Sequence, residues 1–119
     1  MNSNPGNRVF VFGSNLAGRH GRGSAKEAFE KHGAKYGVGN GLCGHSYAIP
    51  TKDESLRVLS LEHIEMYVKE FLEFAASNRD IKFDVVKIGC GLSGYSESEI
   101  SPMFQGSSDN VCLPKGWTR

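Results

Sequence analysis

The chain has 119 residues, 14 Lys+Arg against 13 Asp+Glu and a net charge of +1, so one domain is expected and the basic footprint of a duplex nucleic-acid or membrane-surface binder is excluded. Hydrophobic residues make up 39% and charged residues 23%, ordinary globular usage that excludes disorder, collagen and coiled coil. Glycine stands apart at 15 residues, roughly twice its usual share, so tight backbone loops carry much of the chain.

Residues 1–7 are polar, without the apolar stretch of a signal peptide, and are expected to be peripheral. Residues 8–12 (RVFVF) lack polar alternation, which predicts a strand covered on both faces. A glycine-rich loop follows over 13–23, and Ser24 three residues before Glu27 predicts a capping box opening a helix. Ala25, Ala28, Phe29 and His32 share one face of that helix, and Gly33 stops it. Residues 36–44 read as another glycine loop, 46–49 (SYAI) as a strand ended by Pro50, and 53–60 as a polar connection. Leu61, Ile64, Tyr67, Val68, Phe71, Leu72 and Ala75 keep helical spacing over four turns, with Ser60 as cap. A strand is expected over 83–88, and then GCGLSGY over 89–95. A second capping box, Ser96 with Glu99, opens a short helix, and Pro102 breaks it or starts a separate turn at Ser101. Residues 111–113 form a last strand and 114–119 a peripheral tail. Strands alternating with helices predict one α/β domain over 1–119, three-layered, with a mostly parallel sheet.

Ligands in such sheets bind beyond the carboxyl ends of the strands, where segments 13–24, 50–53 and 89–95 converge. Two glycine-rich turns feeding helix N-termini make a double anion cradle suited to a diphosphate. The competing reading is that the glycines merely turn the chain. Neither turn is a standard fingerprint: GRHGRGS lacks the Gly-Lys-Ser/Thr end of a P-loop, and its glycines run in the reverse order to GxGxxG. Cys90, between glycines, has the setting of a nucleophile if His20 or His45 serves as base; the plainer reading is a small residue at a strand end. His20 lies in the first glycine loop as a candidate ligand contact, and Lys52 is the ammonium expected at the rim. Cys43, Cys90 and Cys112 are odd in number and widely spaced, which argues for reduced thiols in a cytoplasmic compartment. No metal site, cofactor or membrane span is expected.

The segments FGSNLAGRHGRGSAKEAFEKHGAKYG, YAIPTKD and IGCGLSGY resemble the macrodomain superfamily, which binds ADP-ribose. They are most similar to its glutamate-ADP-ribose glycohydrolase branch and to short bacterial and phage macrodomain-like proteins. The matching residues are Gly21, Gly23 and Ala25; Thr51 and Lys52; and Ile88, Gly89, Cys90, Gly91 and Leu92. The resemblance implies that the turn with Gly21, Gly23, Ser24 and Ala25 wraps the distal ribose and a phosphate; Ser14, Asn15, His20 and Thr51 are further candidate ligand contacts. It implies that Gly89, Cys90, Gly91, Leu92, Ser93, Gly94 and Tyr95 clamp the diphosphate through backbone N–H groups, and that Tyr95 covers a ribose. In the hydrolase branch the lysine matching Lys52 attacks the distal ribose, assisted by an acid directly after GCGL. Here Ser93 stands in that place, and a hydroxyl cannot replace a carboxylate base, which leaves Asp53 or Glu97 as substitutes. The strands that precede the S-N segment in macrodomains are also missing, so the fold is expected to be truncated there and adenine recognition relocated. The first expectation is therefore a module binding ADP-ribose or a related nucleotide diphosphate-ribose, free or on an ADP-ribosylated macromolecule. The alternatives are an ADP-ribosyl glycohydrolase with Lys52 as nucleophile, and an interaction domain with a vestigial pocket.

Overall fold

Strand β1 (Arg8–Asn15) opens the computed structural model, which describes residues 8–119; the segment 1–7 lies outside the described residues. Its alternating valines and phenylalanines go to opposite faces. Val9 and Val11 enter one core cluster, Phe10 and Phe12 the other, so the unbroken apolar run is a strand covered on both sides, as expected. The other strands are β2 (Gly41–Cys43), β3 (Ser46–Lys52), β4 (Lys82–Val85) and β5 (Val111–Cys112). They lie in the order β2-β3-β1-β4-β5, with β1 parallel to β3 and β4, β4 parallel to β5, and β2 antiparallel at the edge. Helix α1 (Gly23–Lys31) packs Ala25 and Ala28 against Phe12 and Ala48 on one face. Helix α2 (Leu61–Ala76) buries Ile64, Val68, Phe71 and Ala75 on the other, the first three contributing roughly 2 kcal/mol each. This is the three-layer α/β/α arrangement that the alternation of elements predicted.

Local departures from the sequence reading have physical causes. Pro50 lies inside β3, beyond the stretch that β2 pairs, where no partner on that side needs its missing N–H. Strand β2 falls in the expected glycine loop, because the chain reverses at Gly44 (φ +61°) and lays Leu42 opposite Tyr47. The expected strand 83–88 ends at Val85. The capping box expected at Ser24 does not form: α1 begins at Gly23 (φ +58°), so Ser24 sits within the first turn and the N-cap is Arg22, with no capping side chain.

The other two helices are capped as predicted. Ser60 accepts from the His63 N–H at 3.2 Å, and Ser96 pairs with Glu99 at the start of α3 (Glu97–Ile100). A separate 3-10 turn (Ser101–Phe104) follows, with Pro102 in its first positions. The tail is not peripheral, since Trp117 is buried against Phe104 and its Nε1 donates to Glu97 at 2.9 Å. Among the described residues, no helix is long and apolar enough to cross a membrane.

Candidate functional site

Beyond the carboxyl ends of β1, β3 and β4 the chain leaves a cleft of about 580 Å³. Pairing between β1 and β3 slips there: Ser14 faces Pro50 but Asn15 faces Lys52, so Thr51 is the extra residue of a bulge. The Thr51 hydroxyl donates to the Ser14 carbonyl at 3.2 Å and accepts from the Ser93 hydroxyl at 2.8 Å. One relay of hydroxyls thus joins the ends of β1 and β3 to the loop after β4 along the cleft.

Ser14, Asn15, Gly21, Gly23, Ser24, Ala25, Thr51, Lys52, Gly89, Gly91, Leu92 and Ser93 all line this cleft, so the two glycine turns do meet. A Cβ placed on Gly23 would stand 3.6 Å from Leu92 Cδ1, which measures how closely the turns approach. Their amides are open. Among the described residues no acceptor is found for the N–H of Gly21, Arg22, Gly23, Ser24 or Ala25 in the first turn, nor for Gly89, Gly91, Leu92 or Ser93 in the second. Helix α1 has neither a capping side chain nor an acidic residue in its first turn, whereas α2 and α3 have both. An uncapped helix start with its positive dipole end on a cleft favours an anion.

Some expected contacts serve the fold. Ser14 gives its hydroxyl to the Gly39 carbonyl, and Asn15 clips its own loop through the Arg19 N–H and C=O, each at 2.9 Å. Gly18 (φ +71°) and Gly39 let the two loops touch: a Cβ on Gly39 would lie 2.0 Å from the Asn15 carbonyl oxygen. His20, Cys90, Gly94 and Tyr95 do not line the cleft. His20 is 1% exposed, packed edge-on to Phe12 and Tyr36, with Nε2 bonded to the Lys35 carbonyl at 2.8 Å. Tyr95 donates to the Leu59 carbonyl at 2.6 Å, and Gly94 donates back to Gly91 within its turn. Cys90 packs against the main core, where burial and then the negative field of Glu97 push its thiol up. That is the opposite of an activated nucleophile. His45 lines a different hollow with Arg8, Phe10 and His32.

The sequence reading passed over Arg19, Arg22 and Lys87, which line the cleft beside Lys52. Lys87 is paired with Glu97 at 3.0 Å; among the described residues Arg19, Arg22 and Lys52 make no ion pair. Among the described residues no Asp or Glu lines the cleft. Asp53 is used in its own turn, accepting from the N–H of Ser55 and Arg57 at 2.8 and 2.9 Å. Glu97 is held by Trp117 and Lys87. The cleft is therefore lined by three cations without an ion pair among the described residues and by two turns whose amides find no acceptor there.

No family model, curated protein or solved structure matches the chain. Its function is read from this geometry. Among the described residues no cluster of three His, Cys, Asp or Glu side chains is placed to hold a metal ion.

Proposed function

We propose that the chain binds ADP-ribose or a related nucleotide diphosphate-ribose, with the diphosphate between the two glycine turns. The observation that carries this reading is the meeting in one cleft of two turns whose amides find no acceptor among the described residues with Arg19, Arg22 and Lys52, and with no Asp or Glu among the described lining residues. A doubly charged diphosphate meets donors on two sides there, and the volume suits a nucleotide-sized ligand. The motif resemblance to macrodomains supports the same ligand class, and a ligand carried on a modified macromolecule in the cytosol fits the open mouth.

Binding is favoured over hydrolysis. Lys52 lines the cleft, but the Ser93 hydroxyl is engaged as a donor to Thr51, and both substitute acids are tied elsewhere. A general base or cation-stabilising carboxylate is what the glycohydrolase alternative requires. The vestigial-pocket alternative gives no reason for leaving α1 uncapped.

The deciding experiment is calorimetric titration with ADP-ribose, ADP and ribose 5-phosphate. Wild type is expected to bind ADP-ribose, and Gly91→Glu to lose that binding. A Cβ at Gly91 meets nothing within 4 Å, so the variant keeps its stability within about 0.5 kcal/mol while placing a carboxylate in the cradle. Wild-type affinity in the variant, or no heat from any of the three ligands with wild type, overturns the proposal.

A further inference from the structure

Leu56 is the one non-glycine residue with positive φ among the described residues, at +65°. A bulky side chain there is a backbone outlier, and such outliers persist only where the surroundings over-determine them. Asp53 supplies that constraint. Beyond its two side-chain bonds to Ser55 and Arg57, its carbonyl accepts from the Leu56 N–H at 3.0 Å and its N–H donates to the Arg57 carbonyl at 2.8 Å. The bridge between Lys52 and Val58 closes the turn at its base.

The strained residue is not used by either core cluster. It stands 42% exposed on the wall of the cleft, which Leu92, 61% exposed, lines from the loop after β4. An anion cradle gains nothing from leucines left in water, whereas a ligand with an apolar face gains by covering them. We infer that Leu56 is a specificity residue: with Leu92 it takes the sugar or base face of the ligand, so that the site selects an organic diphosphate over a bare one. This rests on the binding reading above and adds to it the residue that discriminates.

The test compares pyrophosphate with ADP-ribose on wild type and Leu56→Asn, because asparagine tolerates the left-handed conformation and preserves the turn. The expected result is an ADP-ribose affinity lowered about tenfold, with pyrophosphate affinity unchanged within about twofold. Unchanged ADP-ribose affinity, or equal losses for both ligands, overturns the role of Leu56 and leaves the cradle standing. Failure of wild type to bind either ligand overturns the cradle itself, and the selectivity with it.

Discussion

Glu97 joins the tail to the loop after β4: it accepts from Trp117 Nε1 and pairs with Lys87, and these contacts hold its carboxyl below the usual glutamate range, the indole bond contributing most. A depressed carboxyl stabilises the fold above the unfolded-state value, and that stability is lost as pH falls through the folded-state value. Urea midpoints are therefore expected to fall for wild type as pH drops below about 4.3, and Glu97→Gln is expected to flatten that limb. Trp117 is the sole tryptophan of the chain, so its emission reports the same proton; a wild-type limb as flat as that of the variant removes this role for Glu97. Single residues also mark where sequence reading ran out. His20 sat in a glycine loop and read as a ligand contact, but burial against Phe12 and Tyr36 is a tertiary property that no spacing encodes. Leu56 carried no signal at all, because its exposure and strain come from the turn that Asp53 ties.

At the scale of elements, Asn110 closes the end of α2 onto the approach to β4. The two hydrogens of its buried side-chain amide are shared among the carbonyls of Ala75, Asn78 and Ile81, at 3.0, 3.1 and 3.0 Å. Asn110→Ala leaves the Ile81 carbonyl without a donor among the described residues, while the Ala75 and Asn78 carbonyls keep the N–H of Asn78 and of Ile81; the variant is expected to cost about 2 kcal/mol by urea denaturation, and a loss under about 1 kcal/mol means that water replaces the amide. Elements whose apolar spacing was strong were legible: α2 from its four turns of periodic residues, β1 from its two-faced run. Strand β2 was not, because Gly41, Leu42 and Cys43 have no strand pattern and become a strand only by pairing with β3. Helix α1 is legible but lacks the cap that its sequence suggests, since Ser24 and Glu27 satisfy the pattern while the helix starts at Gly23, two residues before that cap would allow.

Across the whole molecule a net charge of +1 hides a local field, because Arg19, Arg22 and Lys52, with no ion pair among the described residues, gather at one cleft beside Lys87, which Glu97 neutralises. Composition could not reveal this; the two glycine turns at strand ends could be read, but not the arginines' convergence on them. Raising salt from about 0.05 to about 0.5 M is expected to weaken ADP-ribose binding roughly tenfold, with little change in melting temperature. Salt-independent affinity measured by calorimetry argues that the cations stay out of the contact.

The chain of hydroxyls from Ser93 through Thr51 to the Ser14 carbonyl has a mechanical consequence. It ties the loop after β4 to the ends of β1 and β3, so opening the mouth at Ser93 costs that hydroxyl bond, about 1 kcal/mol. A ligand held there by the folded chain alone would raise the melting temperature by mass action.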